Sequence, residues 1–220
     1  MSVLATADHL TEHLAAVVTT EEPACNGSIF KRLVDVFAAT VGLLAFAWLF
    51  LVIAVAIKLD TKGPVFFKQQ RLGKDREPFT IFKFRTMVTD GDDLLRHGGD
   101  RGLLYKDLND PRLTRVGRWL RRNSLDELPQ LINIFKGEMC LVGPRPLPME
   151  DTKYYEEWQW GRLAVMPGLT GLWQVSGRSR LDSNQMVRLD LYYIENWSAW
   201  LDTFIILKTF WVVLTRDGAY

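Results

Sequence analysis

The sequence is poor in cysteine, with only Cys25 and Cys140 among 220 residues, and its first 28 residues contain no Lys or Arg. Two cysteines, one of them in an acidic stretch, argue against a disulfide framework and fit a reducing, cytosolic setting. The N-terminal stretch does not resemble a secretory signal, because no basic start is directly followed by an apolar run. We predict that residues 1–28 form a flexible leader outside the fold.

The chain also lacks a strong net charge, since 27 Lys and Arg face 26 Asp and Glu for a formal charge of +1. Four of the acids lie in the leader, so bases modestly exceed acids in the remainder. That balance suits an anionic surface or a phosphate-bearing ligand and argues against nucleic acid as a partner. A hydrophobic content of 48% excludes a disordered chain and predicts one domain with a substantial core.

One long apolar run is present, at 33–57, interrupted only by Asp35, Thr40 and Gly42. It is long enough for a membrane helix, which needs about 20 such residues, although a buried core helix is the alternative. Basic residues stand at both ends, Lys31-Arg32 and Lys58, and positive charge marks the cytoplasmic side. A re-entrant hairpin keeps both ends cytoplasmic, whereas a span does not.

A bend of that kind normally requires Pro or Gly, and Gly42 is the only candidate in the run. The residues alone leave spanning and re-entrant arrangements open. We favour the re-entrant hairpin and assign residues 29–58 to the membrane helix and 59–220 to a cytosolic catalytic domain.

The C-terminal part is rich in tryptophan, with six of the eight Trp after residue 157. The apolar stretch 201–214 is too short to span a bilayer and suits an interfacial helix. An amphipathic core helix with Trp packed inside is the alternative.

The segment after the apolar run predicts a small β-hairpin, with strands at 65–70 and 79–85 that carry Lys83 and Arg85 on one face. Residues 89–110 are rich in Asp and Gly and predict a loop with a short helix at 92–96.

An arginine cluster follows, and its spacing places Arg115, Arg118 and Arg122 on one helical face. A solvated or lipid-facing surface and a phosphate-binding face are equally compatible with it.

A short helix is predicted at 129–136, beginning with Pro129 and ending at Gly137. Ser124 and Glu127 have the spacing of a capping box, but Pro129 would then lie beyond the first turn, so the helix begins at Pro129. Asp126 and Glu127 consequently precede a helix N-terminus, where a phosphate is also attracted.

Two further segments carry candidate phosphate ligands. A strand at 139–142 leads to Gly143-Pro144-Arg145-Pro146, in which the two prolines restrict Arg145 and favour a bidentate clamp over an exposed turn. Residues 167–178 predict a Gly-rich loop that ends at Arg178, which is weak evidence by itself.

Several of these motifs together resemble the bacterial sugar transferase family, the monotopic polyprenyl-phosphate phosphoglycosyl transferases. The resemblance runs from about residue 29 to the C-terminus. It rests on Lys31-Arg32 with Asp35, Gly63-Pro64-Val65-Phe66-Phe67, Lys83-Phe84-Arg85-Thr86-Met87, Ser124-Leu125-Asp126-Glu127-Leu128-Pro129-Gln130, Val142-Gly143-Pro144-Arg145-Pro146 and Pro167-Gly168-Leu169-Thr170-Gly171.

This resemblance implies a membrane-associated α/β fold, mostly α, with a membrane helix, a β-hairpin and interfacial helices around a cytosolic core. It implies that Asp126, as an exposed nucleophile, attacks the sugar-linked phosphorus of a UDP-sugar and releases UMP. Polyprenyl phosphate then takes the phosphosugar, in an early step of exopolysaccharide, O-antigen or glycoprotein assembly. Glu127 resembles the family's magnesium-associated carboxylate, so Mg²⁺ is the implied cofactor.

Other site residues follow from the same resemblance. Arg121 and Arg145 match positions tied to phosphate or nucleotide binding. Lys83, Arg85, Arg178 and Asp202 match motif positions with looser roles, and Asp202 also suits a cap of the last helix. The family's membrane helix commonly carries Ser-Pro at its middle, where this chain has Phe46-Ala47.

The implied location is the bacterial inner membrane, with the catalytic domain on the cytoplasmic face and lipids as neighbours. A homodimer is compatible with the membrane-surface aromatics. The competing hypotheses are a catalytically silent membrane-anchored scaffold of the same fold and a transferase that reacts in a ternary complex without a covalent intermediate.

Overall fold

The computed structural model describes residues 23–25, 28–88, 110–177 and 180–215, and at 150, 151 and 154 the backbone only. Within these residues the fold is mixed α/β and mostly helical, as predicted. Three predictions fall on residues outside this description: most of the leader (all but 23–25 and 28), the loop with its short helix within 89–109, and Arg178.

The long apolar run forms two helices, α1 (Ile29–Ala45) and α2 (Ala47–Asp60), bent by 59° at Phe46. Ser28 begins α1, because its side chain accepts a hydrogen bond from the backbone N–H of Lys31 at 3.2 Å. Gly42, the only candidate for a bend that the composition of the run offered, is not where the helix breaks. Gly42 lies within α1, packed toward Leu131, and the backbone N–H of Phe46 bonds to the carbonyl of Gly42, which closes the helix there.

Among the described helices, none alone has the length and apolar composition to cross a bilayer, while α1 and α2 meet that requirement together as a bent pair. The outward side of this pair is strongly apolar. Its exposed large residues include Leu44, Trp48, Leu51, Val52 and Val55.

The predicted β-hairpin is confirmed. Strand β1 (Phe66–Leu72) pairs antiparallel with β2 (Pro78–Phe84) in the register Phe66 to Phe84, through a 3₁₀ turn at Lys74–Arg76. A two-residue strand, Leu147–Pro148, adds to the other edge of β1, and the order across the sheet places β1 in the centre. Numbered along the chain, this added strand is β4.

The arginine-rich segment forms helix α3 (Arg115–Arg122). Thr114 caps its first turn, because the Thr114 hydroxyl accepts a hydrogen bond from the backbone N–H of Gly117 at 2.8 Å. A 3₁₀ turn, Leu125–Glu127, and helix α4 (Gln130–Lys136) follow, and Gly137 ends α4 in a left-handed conformation at φ 89°. Ser124 makes no side-chain cap, so the rejection of the capping box is confirmed.

The strand predicted at 139–142 is β3 (Cys140–Val142), which pairs in parallel with β5 (Gly168–Thr170). Helix α5 (Leu172–Ser176) follows β5, so the prediction of a Gly-rich loop over 167–178 is wrong for most of that segment. The first part of the segment is a strand because β3, distant in sequence, supplies its hydrogen-bond partners, which the composition of the segment does not reveal.

The last two helices of the described residues are α6 (Ser183–Glu195) and α7 (Ala199–Thr215), and 3₁₀ segments lie at Met149–Tyr154 and Glu157–Leu163 before β5. Asp182 and Gln185 form a reciprocal capping box at the start of α6. One side of α7 is buried through Ile205 and Val212, and its other side exposes Trp200, Phe204, Leu207, Phe210, Trp211 and Leu214.

Three of the four buried clusters in the described residues join elements around the site. The first packs Ala39 of α1 against Ile81 of β2 and Ile134 of α4. The second joins α2, β2 and α3 through Ile53, Phe84 and Leu120, among others. The third contains Val142, Leu172, Val175, Leu189, Tyr193 and Ile205, and it fixes α5, α6 and α7 to β3. The second cluster also includes Leu125 and Leu128, so the turn between α3 and α4 packs against β2 and α3.

Candidate active site

The turn Leu125–Glu127 presents two adjacent carboxylates between helices α3 and α4. Ser124 just before it has φ 55°, a left-handed conformation that a non-glycine residue rarely adopts. On either side of Asp126, Leu125 and Leu128 pack against the core cluster of Phe84 and Leu120. These contacts fix the direction of the turn, and with it the direction of both acids.

The carboxylate of Glu127 is held by two cations. Arg145 donates to it through both terminal nitrogens, at 2.5 Å to Oε1 and 3.2 Å to Oε2, and Lys83 Nζ lies 3.2 Å from Oε1. The three side chains are only 12–19% exposed, so water screens the pairs weakly. Burial disfavours the charge of Arg145, but Glu127 outweighs it, and the pKa of Arg145 is raised above its ordinary value.

Asp126 has a different environment. Its residue is 4% exposed, so the expectation that this carboxylate is exposed is wrong. The reason is that the flanking leucines pack into the core and bring the turn with them. Its Oδ1 is buried and has no hydrogen-bond partner among the described residues. Its charge nevertheless acts on both Arg121 and Arg145. A buried carboxylate oxygen near two guanidinium groups and bonded to neither is uncommon in a folded protein.

Arg121 reaches this region from the side of α3 that faces the hairpin. Its Nε donates to the hydroxyl of Thr86 at 3.1 Å. Burial lowers the pKa of Arg121 below its ordinary value, and the negative charge of Asp126 opposes that shift. An arginine remains protonated at any physiological pH, so the group supplies a fixed positive charge beside Asp126.

A second ion pair supports the loop of Arg145, and the sequence did not lead us to it. Arg162, 3% exposed, donates to the carboxylate of Asp190, to the backbone carbonyl of Arg145 at 3.3 Å and to the hydroxyl of Tyr155 at 2.9 Å. One feature of the sequence could have indicated this ion pair: Asp190 is a carboxylate on the apolar, buried side of α6, beside Leu191, and a buried acid usually has a partner.

The remaining predicted site residues are placed as follows. Lys83 lies at the Glu127 carboxylate, whereas Arg85, although two residues away, points to the end of α2 and donates to the carbonyls of Thr61 and Lys62 at 2.9 and 2.6 Å. Asp202 does not cap α7. It accepts hydrogen bonds from Lys31, Tyr193 and Trp197, in a cluster that ties α1 to α7.

The carboxylates suit a hard divalent cation in kind. Magnesium needs only one or two carboxylates besides water and substrate phosphates, and Glu127 and Asp126 are adjacent carboxylates in one turn. No group of three or more His, Cys, Asp or Glu is arranged to hold a metal ion within the part of the chain that the structure describes.

A family model described as bacterial sugar transferase matches residues 26–216. Over 202 residues the chain is 43% identical to the exopolysaccharide production protein ExoY of Rhizobium meliloti, covering 88% of this chain and 89% of that protein.

Two longer proteins match as well. The galactosyl transferase CpsE of Streptococcus agalactiae is 42% identical over 196 residues, which are 87% of this chain and 43% of that protein. The undecaprenyl-phosphate galactose phosphotransferase of Salmonella typhimurium is 45% identical over 166 residues, or 72% of this chain and 35% of that protein. The chain thus spans less than half the length of these two relatives.

A carboxylate pair lies among cationic side chains, on a mixed fold with a bent apolar helix pair. The chain belongs to the bacterial sugar transferase family. The resemblance drawn from the sequence is confirmed over nearly all of the described residues.

Proposed function

We propose that this chain transfers a sugar-1-phosphate from a UDP-sugar to polyprenyl phosphate, with Asp126 as the nucleophile. The observation that carries the proposal is the buried Oδ1 of Asp126, which has no hydrogen-bond partner in the described structure and lies in the field of Arg121 and Arg145. The names of relatives from Salmonella typhimurium and Komagataeibacter xylinus support the acceptor, since both are undecaprenyl-phosphate sugar phosphotransferases.

The chemistry has two displacements at one phosphorus. A carboxylate oxygen of Asp126 bonds to the phosphorus that carries the sugar, the bond from that phosphorus to the bridging oxygen breaks, and UMP leaves with the electron pair. An oxygen of polyprenyl phosphate then bonds to the same phosphorus and the bond to Asp126 breaks. The products are polyprenyl diphosphate sugar and the original carboxylate, so no proton or electron is left over.

The neighbouring charges suit both steps. Arg121 and Arg145 stabilise the negative charge that accumulates on the phosphoryl oxygens, and they do so without reorganising, because packing and hydrogen bonds already fix them. Lys83 and Arg145 hold Glu127 beside the nucleophile. Burial of Asp126 excludes water, which strengthens these interactions and protects the acyl phosphate formed on Asp126 from hydrolysis.

Magnesium fits this proposal through the same carboxylates. Glu127, with Asp126 next to it, would hold the ion, which when bound neutralises charge on the donor diphosphate. Lys83 and Arg145 already neutralise Glu127 in the described structure, so the protein residues alone place positive charge around this carboxylate.

The contacts at the two ends of the helix pair favour a re-entrant hairpin. At the start of α1, Arg32 donates to the carbonyl of Ile134 at 2.7 Å. At the end of α2, Asp60 accepts from the N–H of Val116 at 3.0 Å. Both ends therefore contact one globular body, and a hydrocarbon core about 30 Å thick cannot pass between them. The exposed apolar residues around the bend are the part that enters the bilayer.

The exposed apolar side of α7 extends the same membrane surface, and the catalytic body then lies on the cytoplasmic face with the basic ends of the hairpin. Placing the site at the membrane surface lets a carrier phosphate reach Asp126 while its chain stays in lipid.

The test uses purified full-length protein with MgCl₂, polyprenyl phosphate and a panel of UDP-sugars, with UMP release as the readout. We expect turnover with at least one donor, loss of turnover to background in Asp126→Asn, and near-normal turnover in the matched control Asp75→Asn, an exposed acid in the β-hairpin turn.

Intact mass measurement after incubation with donor alone separates the competing hypotheses. We expect the mass of one phosphosugar on the wild type and none on Asp126→Asn. Turnover without a mass increase would favour a ternary-complex mechanism, and absence of turnover with every donor would favour a silent scaffold. Retained turnover in Asp126→Asn would refute the assignment of the nucleophile.

A further inference from the structure

A groove between α2 and α3 has no role in the proposed reaction. Its volume is about 320 Å³, and it opens to the outside beside exposed apolar residues. Its lining is almost wholly apolar, with Leu49, Val52 and Ala56 from α2 and Val116, Trp119 and Arg115 from α3. An open apolar groove of this kind suits a hydrocarbon chain.

A row of arginines begins at the groove. Arg115 is part of its wall, and Arg118 and Arg122 follow at one-turn spacing on the same exposed face of α3. A phosphate group at this edge would meet three guanidinium groups, which are well suited to bind it. The apolar groove and the cationic border thus complement the two parts of one anionic lipid.

The depth of the groove agrees with a lipid occupant. The first turn of α3 is tied to the last turn of α2 by the hydrogen bond from the Val116 N–H to Asp60. Earlier in α2, Trp48, Leu51 and Val55 are exposed and apolar. Arg115, at the start of α3, therefore lies where the apolar helix pair ends, which is the level of lipid headgroups. Trp119, 53% exposed, is of the type enriched at that level.

The groove is separate from the reacting carboxylate. Arg115, Val116 and Trp119, which line the groove, lie on one side of α3, whereas Arg121 points from the other side toward Thr86 and the charge of Asp126. A headgroup held by Arg115 is thus directed away from Asp126. This argues for a bilayer lipid as the occupant instead of the reacting acceptor.

We propose that the groove binds one anionic phospholipid of the surrounding bilayer, with an acyl chain between α2 and α3 and its phosphate on Arg115, Arg118 and Arg122. The bound lipid fixes the depth and orientation of α3, and hence of the turn that carries Asp126. The inference rests on the proposed membrane insertion of α1 and α2.

The experiment incubates full-length protein in vesicles of equimolar phosphatidylglycerol and phosphatidylcholine, extracts it gently, and counts retained lipids by native mass spectrometry. One interfacial arginine strengthens attraction to anionic lipid about fivefold. We expect the wild type to retain one phosphatidylglycerol with at least tenfold preference, and Arg115→Gln/Arg118→Gln/Arg122→Gln to lose that preference.

Matched variants separate the groove from general effects. Lys68→Gln/Arg76→Gln/Lys153→Gln removes the same charge at exposed sites elsewhere and should keep the preference. Val52→Trp fills the groove from its open side and should lose the lipid, whereas Val55→Trp, exposed on the same helix but outside the groove, should retain it.

Retention of phosphatidylglycerol by the arginine triple variant or by Val52→Trp would overturn the proposal. Equal loss of phosphatidylglycerol from the charge-control variant would also overturn it. Displacement of phosphatidylglycerol by equimolar polyprenyl phosphate would overturn it as well, because the acceptor would then be the occupant. Flotation with pure phosphatidylcholine vesicles reports membrane insertion separately, so its failure counts against the proposed function and not against lipid selectivity.

Discussion

At the residue scale, the neighbours Asp126 and Glu127 have opposite environments. Glu127 is bonded to Lys83 and Arg145, while one oxygen of Asp126 has no hydrogen-bond partner among the described residues. A carboxylate held by two cations is stabilised as an anion and is a poor nucleophile, because attack would require those bonds to break. The less constrained oxygen of Asp126 is the better candidate for bonding to phosphorus.

The first prediction concerns Arg145. Arg145→Lys keeps the charge but loses the paired donation to Glu127, and one charge-assisted hydrogen bond is worth about 1.5–3 kcal/mol. We expect kcat/KM for UMP release to fall roughly 10- to 100-fold, with the circular dichroism spectrum unchanged. Arg76→Lys, on the exposed hairpin turn, serves as control. Equal activity of Arg145→Lys and the wild type would show that the bidentate geometry is unimportant.

The second prediction concerns Asp202, which matched a substrate-binding motif but contacts Lys31, Tyr193 and Trp197. Asp202→Asn removes the carboxylate that is ion-paired with the partly buried Lys31 ammonium, so we expect a loss of about 1.5–3 kcal/mol in unfolding free energy. At a temperature where the variant stays folded, KM for the donor should be unchanged. Lys31→Met/Asp202→Asn should recover part of the stability, and a raised KM without destabilisation would restore the substrate-binding role.

At the element scale, packing of α3 depends on a single glycine. A Cβ on Gly117 would lie 2.0 Å from the carbonyl oxygen of Thr86, which is backbone and cannot turn away. The same contact places α3 beside the segment after β2, and Arg121 then reaches the Thr86 hydroxyl. The close approach of helix and backbone therefore sets the position of a site residue.

The third prediction concerns Gly117. Gly117→Ala should destabilise the fold by about 1–3 kcal/mol through overpacking, despite the better helix propensity of alanine. Gly42→Ala is the matched control, because its Cβ meets only the flexible end of Leu131 at 3.0 Å. Denaturant unfolding of both variants in one detergent gives the comparison. A Gly117→Ala protein as stable as Gly42→Ala would mean that α3 does not pack as described.

Elements with a local signal were the ones that the sequence could predict. The hairpin of β1 and β2 shows period-two alternation, and α4 is bracketed by Pro129 and Gly137. Strand β4 is two residues long and exists only through its pairing with Arg71 and Leu72. The bend at Phe46 lacks Pro or Gly, so it depends on packing of α1 and α2 against different parts of the core.

At the scale of the whole molecule, three of the site side chains come from distant parts of the chain. Glu127 meets Lys83 from β2 and Arg145 from the loop after β3. Motifs identified these residues as a set, but only the fold separates Lys83, which reaches Glu127, from Arg85, which supports α2. Residues such as Arg162 act through backbone carbonyls, and no local pattern marks that role.

The fourth prediction concerns topology, since both ends of the helix pair contact one globular body. In a background with Cys25 and Cys140 replaced by Ser, single cysteines are placed at Ile29 and Lys62, both exposed, and at Trp48 near the bend. A membrane-impermeant maleimide is applied to inside-out vesicles and to spheroplasts. We expect the two end positions to react only in inside-out vesicles and position 48 to react in neither.

The reason is geometric, and it makes the outcomes distinct. If α1 and α2 crossed the bilayer, one end would react from each side, and the contacts of Arg32 with α4 and of Asp60 with α3 could not exist in the same molecule. If the pair lay outside the membrane, position 48 would react along with the ends. Only a hairpin that enters and leaves on the cytoplasmic face protects its bend, exposes both ends to one side and keeps Asp126 within reach of a lipid-linked phosphate.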